Sequence, residues 1–182
     1  MKPLASSEYD FQYMTLLIDK YDYAMNRSKE LGANGYPYLY FDGGYKSISN
    51  VEDASFLIDM LENCISRDLP DINLNLNAYW HQCPCQRGIG ISVDIINGEN
   101  YLFDLRILIS VVSFSSEFRD YNNRPFDYVL LGYVDDKTFT LQPSPLGRYS
   151  IEYDWNPPFI DDLDTPNLLV IASILSTSTG YI

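Results

Sequence analysis

Trp80-His81-Gln82-Cys83-Pro84-Cys85 is the stretch of this chain with the widest chemical range. With Cys64 it offers three thiols and one imidazole, which is the ligand count of a tetrahedral zinc site. The spacing argues against zinc. Paired structural ligands are separated by two or more residues so that both face the ion, and here only Pro84 separates Cys83 from Cys85. The expected arrangement is a strand end running into a loop, with no metal and no cofactor. His81 is the only histidine, so any nucleophile–base–orienter triad depends on it. No serine sits in a G-x-S-x-G context, and no catalytic set is expected. Asp161-Asp162-Leu163-Asp164 lacks the glycine and spaced oxygens of a calcium loop and reads as a solvated acidic loop.

The second chemical signal is charge. Lys plus Arg number 12 and Asp plus Glu number 25, a formal net charge of −13. A field of that sign repels phosphate backbones and anionic bilayers and attracts basic partners. The charge is densest in Ile151-Glu152-Tyr153-Asp154-Trp155-Asn156-Pro157-Pro158-Phe159-Ile160-Asp161-Asp162-Leu163-Asp164, which holds five acids and no base around three aromatic rings. Two consecutive prolines oppose regular structure, so the stretch is expected to be an exposed loop. Glu152, Asp154, Asp161, Asp162 and Asp164 are candidates to pair with a partner's cations. Trp155 is the candidate apolar anchor among them.

The elements that must carry these groups follow from periodicity. Phe11, Met14, Ile18, Tyr21 and Met25 recur at spacings of three and four, which predicts a helix from Glu8 to Leu31, stopped by Gly32. Tyr36 to Phe41 reads as a short strand. Ser49-Asn50-Val51-Glu52 has capping-box spacing and opens a second helix, barred by Pro70, with Val51, Ala54, Leu57, Ile58, Leu61, Cys64 and Ile65 on its buried face. Ile72, Leu74, Leu76, Ala78 and Trp80 alternate with Asn73, Asn75, Asn77 and Tyr79, the period of a half-buried strand. Gly88–Ile96 and Tyr101–Phe114 read as two strands of one hairpin turning at Asn97-Gly98. Tyr128–Val134 and Thr138–Leu141 read as a second hairpin turning at Asp135-Asp136-Lys137. Tyr149–Asp154 is a last strand, and Asn167–Ser176 is apolar enough for helix or strand.

Helices first and strands afterwards predict one α+β domain over residues 1–182, with two N-terminal helices packed on a meandering antiparallel sheet of about five to seven strands. The odd, small cysteine count, the absence of an apolar leader and the absence of a long apolar run fit a cytoplasmic protein.

In its general character the chain resembles the immunity proteins of bacterial toxin systems, including contact-dependent inhibition. The resemblance rests on small size, acidity, few cysteines, α+β patterning, absent catalytic motifs and the acidic–aromatic segment 151–164; no family motif is matched. It implies a binding protein, not an enzyme, that neutralises a basic toxin, most plausibly a nuclease, by occluding its cationic groove. Two other readings fit the same charge. One is a nucleic-acid mimic that inhibits a phage-defence enzyme, and the other is an enzyme using paired carboxylates.

Overall fold

The structure is a computed structural model that describes residues 12–35, 37–49, 54–83, 86–156 and 167–180. It is α+β, with strands predominating. Helix α1 (Asp22–Glu30) is followed by a small hairpin of β1 (Tyr38–Phe41) and β2 (Lys46–Ser49), then by helix α2 (Ala54–Ile65). Six strands complete the fold: β3 (Ile72–Cys83), β4 (Gln86–Asn97), β5 (Phe103–Arg119), β6 (Pro125–Leu141), β7 (Arg148–Trp155) and β8 (Leu168–Ser176).

The single meander gives way to two three-stranded antiparallel sheets, ordered β3-β4-β7 and β6-β5-β8. They share one core. Ile89, Ile91, Val93 and Ile95 of β4 cluster with Leu105, Ile107, Ile109 and Val111 of β5, joined by Leu141 and Trp155. Each of these side chains contributes roughly 1.5–3 kcal/mol by leaving water. Alternation puts odd-numbered residues of β4, β5 and β7, and even-numbered residues of β3, on the inner faces.

The expected Asn97-Gly98 hairpin is not formed, because β4 and β5 lie in different sheets and the chain crosses the core at this point. Asn97, 2% exposed, fixes the corner. Its Nδ2 donates to the carbonyls of Tyr101 and Gln142, both at 2.8 Å, and its Oδ1 accepts from the Glu99 N–H at 2.8 Å. Gly98 passes close to Asp71: a Cβ there would stand 2.1 Å from Asp71 Oδ2 and 3.0 Å from its carbonyl oxygen. The asparagine and glycine that suggest a two-residue turn serve a sheet-to-sheet corner instead.

The expected turn at Asp135-Asp136-Lys137 is also absent. β6 runs unbroken, and these residues pair with Ile109, Leu108 and Ile107 of β5. Charge in mid-strand is tolerated because each group finds a partner. Asp136 meets Arg106, and Lys137 meets Asp135 at 3.1 Å. Register shifts near Ile109 and Val111 supply the local irregularity. Asn167–Ser176, open to either reading, is largely strand β8.

The long first helix is corrected to Asp22–Glu30; residues 12–21 are not helical, and the part before residue 12 lies outside the described residues. Its buried positions are Ala24 and Ser28 rather than the Tyr21–Met25 stripe. Thr15 bridges β6, donating from N to the Tyr128 carbonyl at 2.7 Å and accepting from the Leu130 N–H at 3.0 Å. The segment thus runs along the free edge of β6, and α1 lies over the outer face of β6-β5-β8 through Tyr23 and Glu30, on the side where Leu108, Ser110, Val112 and Leu130 are buried.

Helix α2 packs against the β1–β2 hairpin, with Arg67 pairing Asp42 and lying 4.4 Å over the Tyr45 ring. Leu61 is buried there, but Ile65, expected on the same face, is exposed. The capping box falls largely on residues 50–52, outside the described residues.

Candidate interaction face

One sheet of the sandwich carries α1 on its outer face; no described segment covers the outer face of β3-β4-β7. Strand alternation decides what that face shows. β3 presents Asn73, Asn75, Asn77, Tyr79 and His81; β4 presents Gly90, Ser92, Asp94 and Ile96; β7 presents Arg148, Ser150, Glu152 and Asp154. The register sets them in rows. Asn75, Asp94 and Ser150 form one, Asn77, Ser92 and Glu152 the next, and Tyr79, Gly90 and Asp154 a third.

The Tyr79–Gly90–Asp154 row has a distinctive geometry. A Cβ on Gly90 would stand 2.3 Å from Tyr79 Cζ and 2.6 Å from its Oη, so the tyrosine ring lies over the Gly90 backbone. Gly90 is buried beneath it, while Tyr79 remains 59% exposed. An aromatic laid over a glycine shields a ladder that no side chain would otherwise cover. His81 meets Tyr79 edge-on, centroids 5.1 Å apart, and its Nε2 lies 2.9 Å from Asp154 Oδ1.

At the opposite end, Asp94 is held below the usual carboxylate range by the Ser150 hydroxyl and then by the Arg148 guanidinium, 3.0 Å away. Among the described residues the face therefore bears three carboxylates against one guanidinium, and that guanidinium is already paired with Asp94. Glu152 has no ion-pair partner among the described residues.

The predicted site residues divide three ways. Glu152 and Asp154 stand exposed on the open face, but on strand β7 rather than in a loop. Trp155 does not. At 9% exposure it faces the core opposite Ile89, and the expectation of an exposed tryptophan anchor is corrected. The strand continues one residue past Asp154, and alternation turns the indole inward. Asp161, Asp162 and Asp164 lie outside the described residues. Tyr79 and His81 are the face residues that charge-based reading misses; the Asn73/Asn75/Asn77/Tyr79 alternation is the signal that could have found the first of them.

His81 and Asp154 supply an imidazole and a carboxylate orienter, two parts of a triad. The groups His81 touches in the described residues are the Tyr79 ring and the Asp154 carboxylate, and no serine, threonine or cysteine is among them. Cys64 lies on α2, burial pushes its thiol up, and the thiols of Cys83 and Cys85 lie outside the described side chains. Among the described residues no three His, Cys, Asp or Glu side chains gather as a metal site, and no helix is long and apolar enough to cross a membrane.

A second charged cluster sits between α1 and β5-β6. Tyr23, Asn26, Arg27, Glu30, Arg106, Tyr133 and Asp136 line a cleft of about 220 Å³. Its charges are internally matched, Arg27 with Glu30 at 2.9 Å and Arg106 with both Glu30 and Asp136. Matched charge holds a helix to a sheet and leaves little for a ligand.

Comparison with known proteins finds no matching family model, no matching curated protein and no matching solved structure.

Proposed function

We propose that this chain is a cytoplasmic binding protein that neutralises a basic protein toxin, most plausibly a nuclease domain, by covering its cationic surface with the open face of β3-β4-β7. The observation that carries the reading is the unbalanced charge of that face. Asp94, Glu152 and Asp154 project from a sheet whose outer side no described segment covers, in a chain of net charge −13. A flat sheet face is preorganised, so docking orders little backbone. Opposite charge accelerates encounter, which suits an inhibitor that must reach its target before damage is done.

The experiment is co-expression with a basic nuclease toxin domain taken from an adjacent reading frame, where this reading expects one, scoring survival. Wild type is expected to protect. Glu152→Lys with Asp154→Lys is expected to lose protection while remaining folded, and to slow association at low salt more than at high salt. Full protection by that folded double variant would overturn the assignment of the face. Failure of the wild type to bind or protect would overturn the function.

A further inference from the structure

On the same face, we propose that Tyr79, Asp154 and Glu152 form a receptor for one arginine side chain of the partner. This deepens the toxin-binding reading and rests on it for the partner's being a protein.

The chemistry follows from three observations. First, the Tyr79 ring is fixed at one side by the Gly90 backbone beneath it, yet the residue is 59% exposed. It is a plate held from below with more than half of its surface in solvent. A guanidinium is planar, weakly hydrated and stacks on such a plate, whereas an ammonium is a strongly hydrated point charge. Second, His81 occupies Asp154 Oδ1, and the Asp154 side chain is 61% exposed. Its second oxygen has no partner among the described residues and accepts from a fork of N–H donors. His81 thus acts as a positioning residue that fixes the carboxylate beside the plate. Third, Glu152 lies two residues back on β7 and on the same face, roughly 7 Å along the strand, with no ion-pair partner among the described residues. At the other end of the sheet a cation is already in place, because the Arg148 guanidinium and the Ser150 hydroxyl both bond Asp94 Oδ1.

A sugar ring can also stack on a tyrosine, but neutral hydroxyls do not answer two carboxylates that meet no Lys or Arg among the described residues. Charge complementarity selects the guanidinium.

The test uses the full chain, isotopically labelled, titrated with the blocked peptide acetyl-Gly-Arg-Gly-amide and followed by NMR. Amide shifts are expected at Tyr79, Gly90, Glu152 and Asp154. The citrulline peptide, equal in shape and neutral, is expected to bind at least tenfold more weakly. Asp154→Asn is expected to weaken the arginine peptide at least fivefold, and Tyr79→Phe to retain binding. His81→Gln is expected to weaken it about twofold without moving its site of contact. Equal binding of the arginine and citrulline peptides, or unchanged binding by folded Asp154→Asn, would overturn the proposal. So would tighter binding of a neutral hexasaccharide at Tyr79, in favour of a carbohydrate surface. The peptide arm contains no toxin, so the two readings fail separately. Peptide binding without protection removes the toxin reading alone, and protection without peptide binding removes the arginine receptor alone.

Discussion

Arg106 grips Asp136 with two hydrogen bonds, Nε to Oδ1 at 2.6 Å and Nη2 to Oδ2 at 2.7 Å. The same guanidinium reaches Glu30 of α1. One side chain of the central strand thereby ties an edge strand and a helix to the second sheet.

Acid should release that tie. Hydrogen bonding to Arg106 holds Asp136 below its ordinary value of 3.8. Burial raises Glu30, but its bonds to Arg106 and Arg27 outweigh burial and leave it below its ordinary 4.5. Both folded values lie under the unfolded ones, so the stabilisation is present above about pH 4.5 and is lost as pH falls through the folded values. Half-exposed carboxylates limit the effect to about 1–2 kcal/mol. Urea unfolding at pH 7, 5, 4 and 3 should show stability falling below pH 4.5, and Arg106→Gln should be less stable at pH 7 with a flatter acid limb. An unaltered acid limb in that variant would remove the cluster from the account.

Trp155→Ala should cost stability rather than binding alone. The indole fills core between β7 and β4, and its truncation leaves a cavity worth about 3–5 kcal/mol. Thermal unfolding and denaturant midpoints measure the loss. Glu152→Gln, on the opposite face of the same strand and exposed, should leave both within about 0.5 kcal/mol of wild type.

The Asn97 corner should be equally intolerant. Asn97→Ala leaves two carbonyls and one N–H without their partner in a buried site, a loss of about 2–4 kcal/mol for the set. Gly147→Ala should disrupt the same corner, since a Cβ there would meet the Gln142 carbonyl oxygen at 2.2 Å and Asn97 Cβ at 2.6 Å. Denaturant unfolding tests both; near-neutral values would show that the corner relaxes.

Much of the fold was legible where periodicity stood alone. The Ile72–Trp80 alternation names β3 and its inner face, and the weakly polar run Leu105–Val112 marks a strand buried on both sides, as β5 is. What failed was long-range pairing. Asn97-Gly98 has the composition of a hairpin turn, and only the tertiary role of Asn97 as a three-bond corner distinguishes the two. Asp135-Asp136-Lys137 has turn composition because nothing local reveals that Arg106 waits on the neighbouring strand. At the candidate face, charge pointed to Glu152 and Asp154 but not to their setting, since Tyr79 and His81 join them only through the β3-β4-β7 register. Trp155 was misplaced by one residue of alternation, which is enough to exchange solvent for core.

The two flanks of β5 have a consequence in time. β6 follows β5 after a short connection, whereas β8 arrives only after β6 and β7 have passed, and one strand of the other sheet has been completed meanwhile. Until β8 docks, β5, buried on both sides from Ile107 to Val112, shows an open hydrogen-bonding edge, and closing so distant a pair is slow. Folding should therefore proceed through a species with the β5–β6 ladder protected and the β8 amides still exchanging. Pulsed hydrogen exchange during refolding would resolve the order, and protection of β8 ahead of β5–β6 would contradict it. For as long as that edge is bare, mutual repulsion between chains of net charge −13 opposes the addition of one unfinished molecule's strand to another.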